Sequence, residues 1–600
     1  MKFLYLVITV FVILFIAASE QTAFGIPQGS PSTSENNGIH LNSNALDNKN
    51  LIISEGPTIP NPPGTIVITP IYNACVSHNT TSTITNNSVN FPQGNFYKIE
   101  VTFFDQYISN PFDDSYVVIV NGVQIMSGNT LELENTSASE NVSQYEHIFT
   151  EHSSVTISSP QFNPGYASRL SVWFTFYTGN GVPEPNLIIP AFTDIGFPTP
   201  KNAFPVNVPI PFNVSKSASV SFPMNITSAY LNLYEQQNGN DEFWYTLQPP
   251  FREFRIYINN TLIATVQPYP NIQTGGGDLF LWQPILPIGA VLYPQHVINL
   301  NPYLSILRGT KNVTLEVVND ENLWIRVALN FMLFTNNIQN GYGSANVSFH
   351  FQNNYHQTPE TNLTSESIPF SAQYLNDSEF TNETLSSYGF ITNGNELTAS
   401  TTFKTVKFFA NSTEFDPCFN IINNTPFGIG LVYIQHFYLK ENIEYVTITK
   451  VYATNGNAQM MISETKTIKQ EYFQINGTDF EYLIFSPSLI VIGFNVTQIK
   501  NTSIMQYQFG NERNLHYNIV DFNYTSKVVT GNGVFAGTLN SENEITSLVY
   551  NHAITHKIVL SRSISDHSYT VFYLNEEAIN DSLVNRNGSY VYIIVKYFKS

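Results

Sequence analysis

From about residue 65 onward, apolar and polar positions alternate with a period of two, the pattern of strands that bury one face. In YKIEVTFF (97–104), Tyr97, Ile99, Val101 and Phe103 share one face. SYVVIVNGVQIM (115–126) sets Asn121-Gly122 between two apolar runs. Both residues tolerate positive φ, so this predicts a hairpin. RLSVWFTFYTG (169–179) reads as a strand closing this block. In REFRIYINNTLIATV (252–266), Phe254, Ile256 and Ile258 point one way and Glu253, Arg255 and Tyr257 the other, with a turn at Asn259-Asn260. NVTLEVVND (312–320) and LWIRVALNFMLF (323–334) supply later strands. No amphipathic helix pattern stands out.

Punctuation divides these strands. Pro183, Pro185, Pro190, Pro198, Pro200, Pro205, Pro209 and Pro211 crowd residues 180–212. Such density argues against a central strand or helix and predicts a linker or long edge crossing. The Asn/Gly/Thr-rich stretch 335–365 reads as a second boundary, and 366–600 reads as short alternating strands between turns. The expected fold class is all-β, built of jelly-roll or β-sandwich units. The expected divisions are a signal peptide (1–19), a disordered lead-in (20–60), a first β-sandwich of jelly-roll type (61–180) and a Pro-rich linker (181–212). A second β-sandwich (213–335) and a C-terminal β-rich domain (336–600) of unassigned role complete the chain.

The N-terminus bears on compartment. Lys2 precedes an apolar run from Phe3 to Ala18, and Ala17 and Ser19 suit the small positions of a cleavage site. This predicts entry to the secretory pathway, with a secreted or lysosomal mature chain and no membrane span. Asn79, Asn135, Asn213, Asn225, Asn312, Asn362, Asn411, Asn476, Asn523 and Asn587 each begin an N-x-Ser/Thr triplet, so glycosylation is expected. Cys75 and Cys418 are the only cysteines, either a candidate disulfide or two buried thiols. The net charge of −20 argues against nucleic acid and anionic membranes as partners. No Cys/His spacing suggests a metal site.

Nucleophile elbows, zinc-protease, Walker and dinucleotide fingerprints are missing, and TGGGDLF (274–280) has no helix pattern after it to hold a phosphate. What remains is carboxylates beside aromatic rings. NPFDDSYVV places Asp113 and Asp114 at the mouth of a strand. NDEFWYT (240–246) sets Asp241 and Glu242 against Phe243, Trp244 and Tyr245, and PPFREF adds Arg252 and Glu253. Carboxyl pairs can divide acid and base roles, and ring faces suit the C–H faces of sugars. Plain alternatives stand beside each: Asp-Asp as a turn or cap, Arg252-Glu253 as a surface ion pair, each tryptophan as core.

The stretch from NDEFWY through PPFREFRIYINN, the TGGG loop and LWQP to NLWIRVALNFMLF resembles the peptide-N4-(N-acetyl-β-glucosaminyl)asparagine amidase A family, over roughly 65–335. The resemblance implies an active region of two jelly rolls that hydrolyses the amide joining N-acetylglucosamine to asparagine. It implies N-glycosylated peptides and proteins (the chitobiose core plus Asn) as partners, acidic surroundings, and no metal or organic cofactor. By similarity to the strand-opening Phe-Asp of bacterial glycoamidase F, it implies Asp113 as principal catalytic group. Asp114 stands where the family usually has arginine, a like charge that would raise the pKa of one of the pair. The bacterial enzyme's catalytic glutamate lies just before a similar Phe-Arg, where this chain has Gln248-Pro249-Pro250. The resemblance therefore passes the role to Glu242 or to Glu253, with Glu242 favoured for its adjoining rings and Asp241 as helper. Trp244 and Tyr245 would face the sugar, while Arg252 would hold Glu253 or a peptide carbonyl. The bacterial enzyme's third acid has no counterpart near TISSPQF, and nothing beyond 366 inherits a role. A β-sandwich that binds glycans without cleaving them is the alternative, since the same groups would serve it.

Overall fold

The computed structural model describes residues 66–77, 82–109, 115–130, 135–159, 167–178, 184–196, 213–236, 251–268, 291–293, 295–318, 325–365, 370–418, 433–453, 458–476, 495–513, 522–539, 545–562, 565–579 and 582–590. The signal-peptide and lead-in readings fall outside them.

Eight strands form the first unit: β1 (Ile66–Ser77), β2 (Ser82–Val89), β3 (Phe96–Ser109), β4 (Ser115–Val120), β5 (Val123–Asn129), β6 (Thr136–Asn141), β7 (Ser153–Ser159) and β8 (Ala167–Thr178). They make two four-stranded antiparallel sheets, ordered β1-β8-β3-β6 and β2-β7-β4-β5. This alternation of early and late strands is the jelly-roll order. Between the sheets lie Phe91, Val101, Phe103, Val118, Val120, Phe149, Phe174 and Phe176, with edge-to-face ring pairs such as Phe91–Phe174 at 5.0 Å.

The second unit repeats the plan. Its strands are β9 (Leu187–Gly196), β10 (Val214–Phe222), β11 (Ile226–Gln236), β12 (Glu253–Ile258), β13 (Thr261–Val266), β14 (His296–Asn299), β15 (Gly309–Val318) and β16 (Arg326–Thr335). The sheets run β10-β15-β12-β13 and β14-β11-β16-β9, which is the same order strand for strand. Even the hairpins correspond: Asn121-Gly122 joins β4 to β5, and Asn259-Asn260 joins β12 to β13. All four residues have positive φ, as a two-residue hairpin requires.

One division differs from the sequence expectation. The Pro-rich stretch 181–212 is not simply a linker, because β9 lies inside it as the edge strand of its sheet. Pro190 sits opposite Asn330, and a residue without an N–H is tolerated at an edge. The stretch 335–365 begins where β16 ends, at Thr335. After a short turn it becomes β17 (Asn340–Ser365), the first strand of a third sheet.

That sheet has ten antiparallel strands in simple sequential order. Following β17 come β18 (Phe370–Asn393), β19 (Glu396–Cys418), β20 (Tyr433–Ala453) and six more between Ala458 and Tyr590. The strands are long, up to 26 residues in β17, where short ones were expected. Polar Asn and Thr that read as turn residues in sequence are here ladder residues: Asn353 faces Thr381, and Asn382 faces Lys407. Among the described residues no helix is long and apolar enough to cross a membrane.

Asn135, Asn213, Asn312 and Asn411 are exposed. Asn225 is half-buried, and its Nδ2 donates to the Asn336 carbonyl. Cys75 lies on β1 opposite Arg169, and Cys418 ends β19 opposite Ser371. Their pairing falls outside the described side chains.

Candidate functional site

The two jelly rolls meet along a buried polar seam. Strand β5 is the last strand of its sheet and would present an open row of backbone groups to solvent. The second unit covers it instead. Asn330 Nδ2 donates to the Gln124 carbonyl (2.8 Å) and the Tyr234 hydroxyl to the Ile125 carbonyl (2.6 Å). The Tyr293 amide donates to Ser127 O (3.0 Å), and Asn129 N to Val291 O (3.1 Å). These contacts follow from alternation in β11 and β16. Leu231 and Leu233 enter the second core, so Asn232, Tyr234 and Gln236 turn toward the first unit. Likewise Leu329 and Phe331 face inward, and Asn330 faces the seam. Both faces of these strands are buried, so they do not read as half-wet.

Gln236 ties the seam together. Its Nε2 donates to the Tyr116 carbonyl (3.0 Å) and the Gly128 carbonyl (2.9 Å). The Tyr116 hydroxyl in turn donates to Val291 O at 2.9 Å, and its ring stacks on Phe103 at 3.6 Å. Nearby, Arg326 opens β16 opposite Gln236. Its guanidinium pairs with Asp194 and reaches Ser158 Oγ (3.2 Å) and Ser115 Oγ (3.4 Å). Burial raises the Asp194 pKa, opposed by the charge of Arg326. Thus Ser115, which follows Asp113-Asp114, and Gln236, which precedes Asp241–Tyr245, belong to one hydrogen-bonded cluster.

Deeper in the seam lies Glu140 of β6, a residue the sequence did not single out. Gln295 Nε2 donates to its Oε1 at 2.7 Å, and Gln295 Oε1 accepts from Asn232 and Gln144. Burial holds its carboxyl well above the usual range, opposed by the Gln295 bond. Nothing in SASEN marks it in sequence, because the partner that buries it comes from β14's approach more than 150 residues later.

The described members of the predicted site are Arg252 and Glu253, and both are buried. Their surroundings are not those of a surface pair. Glu253 pairs with Arg255, two residues along the same face, and accepts from Gln267 Nε2 at 2.8 Å. The third sheet closes over them with Glu383 and Lys404. Burial foremost, and then the charge of Glu383, hold the Glu253 carboxyl well above its ordinary range. Asp113, Asp114, Asp241, Glu242, Trp244 and Tyr245 lie outside the described residues. Among the described residues no cluster of His, Cys, Asp and Glu could hold a metal ion.

Residues 75–323 match the family model described as peptide N-acetyl-beta-D-glucosaminyl asparaginase amidase A. One curated relative, peptide-N4-(N-acetyl-beta-glucosaminyl)asparagine amidase A of Prunus dulcis, is 30% identical over 157 residues. That match covers 22% of this chain and 27% of the relative, so the chain spans about a quarter of that protein's length. Among solved structures, PNGase F, a glycosylasparaginase from Flavobacterium meningosepticum, is 14% identical, with a TM-score of 0.32 over 45% of this chain and 96% of its own. PNGF-II is 12% identical, with a TM-score of 0.34 over 45% of this chain and 66% of its own.

Proposed function

We propose, from the premise that residues 75–323 carry a domain of the peptide N-acetyl-β-D-glucosaminyl asparaginase amidase A family, that this chain hydrolyses the β-aspartylglucosylamine amide of N-glycopeptides and N-glycoproteins. The observation that supports the reading most is the bond from Gln236 to Tyr116 and Gly128. It joins the strand that follows Asp113 to the strand that precedes Glu242, the two segments on which the sequence concentrates carboxylates and rings.

In this reading Asp113 accepts a proton from water as the water oxygen adds to the amide carbonyl carbon. The carbon–nitrogen bond then breaks, and the nitrogen leaves with the sugar as a glycosylamine after taking a proton from Glu242. The peptide keeps the new carboxylate, so asparagine becomes aspartate. Trp244 and Tyr245 hold the sugar by their ring faces, and Asp241 assists Glu242. Two carboxyls working as acid and base suit mildly acidic surroundings, as does a secretory or lysosomal location.

Incubation with an N-glycopeptide at acidic pH tests this against the glycan-binding alternative. The expected products are free glycan and a peptide with aspartate in place of asparagine, read by mass. An unchanged glycopeptide retained on the protein would support binding without cleavage.

A further inference from the structure

The face of β12 and β13 turned away from the second core is covered by β17–β20. Arg255 lies over the rings of Phe351 (4.4 Å) and Phe349 (5.1 Å) of β17. Phe251 meets Phe408 of β19 edge-on at 5.3 Å. Lys404 of β19 crosses to β13, donating to Thr265 O (2.6 Å), Thr265 Oγ1 (2.8 Å) and Gln267 Oε1 (2.6 Å). Glu379 of β18 accepts from the Phe251 amide (2.7 Å) and from Asn353 Nδ2 (2.8 Å). At the far end Tyr445 Oη accepts from the Asn299 amide at 3.1 Å, and Gly389 abuts the Pro302 carbonyl.

The composition of this contact is unusual for an interface that holds a chain together. Glu253, Glu379, Glu383 and Glu441 are buried in it, with Asp377 beside Glu379, facing Arg252, Arg255 and Lys404. Tyr257 and Glu316 stand next to Arg255. Acids outnumber bases there, and burying charge is expensive. Gln267 Nε2 reaches both Glu253 (2.8 Å) and Glu383 (3.3 Å), so two buried carboxyls gather around one donor. Like charges so close favour one of them keeping its proton.

We propose that the contact between the third sheet and the second jelly roll is a proton-held latch, closed in acidic surroundings while its carboxyls keep their protons and loosened as those protons leave. Burial pushes Glu379 up to about 7 and Glu441 up to about 8, the latter despite Lys404. Glu253 lies well above the ordinary range through burial and Glu383. Burial also acts on Glu383, but the charge of Lys404 and the Thr265 bond outweigh it and hold its carboxyl below the ordinary range. The docked state therefore holds more protons than the open one between the ordinary carboxyl range and these raised values. Docking is strongest below that window and weakens as pH rises through it. Since Glu379 seats the Phe251 amide, the latch also fixes the start of β12, where Arg252 stands.

The test is amide hydrogen exchange on the full chain between about pH 5 and pH 8, corrected for intrinsic rates, and it does not depend on the amidase reading. The opening constant at Phe251 and along β18 should rise about tenfold per pH unit for each carboxyl that holds its proton only when docked. Amides of the first jelly-roll core, such as Val118, should keep a constant opening equilibrium. The double variant Glu379→Gln with Glu441→Gln replaces two proton holders by neutral isosteres and should flatten the slope. A flat profile in the natural chain, or an unchanged slope in the double variant, would overturn the latch. If the variant fails to fold, the natural chain's profile decides alone.

Discussion

Replacing Gly128 by alanine is expected to part the two jelly rolls. An added Cβ would lie 2.0 Å from the Val291 carbonyl oxygen and 2.5 Å from the Tyr116 hydroxyl, and the first of these is backbone that cannot rotate away. Making room displaces the 291–293 segment from β5, disturbing Asn129 N to Val291 O, Tyr293 N to Ser127 O and the Tyr116 bond to Val291. Overpacking of this kind costs about 1–3 kcal/mol, and each disturbed hydrogen bond adds about 1 kcal/mol. Chemical denaturation should therefore show a loss of several kcal/mol, with the first jelly roll unfolding separately from the second. Gly122→Ala is the matched control. Its φ is +79°, but nothing lies within 4 Å of the added carbon. It should cost only about 1 kcal/mol, from the left-handed backbone, and leave the seam intact. Equal losses from both substitutions would contradict the assignment of Gly128 as a close-approach residue.

Asp113→Asn is expected to lower glycan release by about a thousand-fold or more, because it would remove the proposed base while preserving size and hydrogen-bonding shape. Glycopeptide binding and thermal stability should stay near those of the natural chain, which separates loss of chemistry from loss of fold. Asp114→Asn tests the neighbouring charge with a signed outcome. Removing a like charge lowers the pKa of Asp113, so the acidic limb of the pH–rate profile should move to lower pH. Near-normal release by Asp113→Asn would transfer the principal role to another carboxyl.

Local features of the fold were legible because they are decided locally. Asn121-Gly122 and Asn259-Asn260 turn where their positive φ is tolerated, and Phe254, Ile256 and Ile258 are buried on one face as their spacing requires. Pairings between distant strands were not legible. Nothing in β1 names β8 as its neighbour, although Ile66 lies opposite Tyr177. Strand β9 was hidden by the prolines around it, which exclude a central strand but permit an edge. The long strands of the third sheet were hidden by Asn and Thr, which serve turns and ladders alike.

The site shows the same division. The two carboxylate-rich segments stood out by composition, and their flanks, Ser115 and Gln236, meet in the seam. Arg252-Glu253 was readable as an ion pair. Its true partners, Arg255 for Glu253 and the roof of Glu383 and Lys404, depend on a sheet that begins at residue 340. Alternation marks a polar face but does not say whether water or another sheet covers it. Glu253 and Arg255 alternate with buried apolar residues as solvent-facing residues would, yet Glu253 has no exposed surface.

In the proposed reaction, water attacks the peptide side of the glycan–asparagine amide. Turnover of an N-glycopeptide in ¹⁸O-labelled water reads the site of attack from the products. One labelled oxygen is expected in the new aspartate side chain, with a glycosylamine released without label at its first carbon. An intact asparagine side chain, bare or still bearing a sugar, with the label on the glycan, would contradict it.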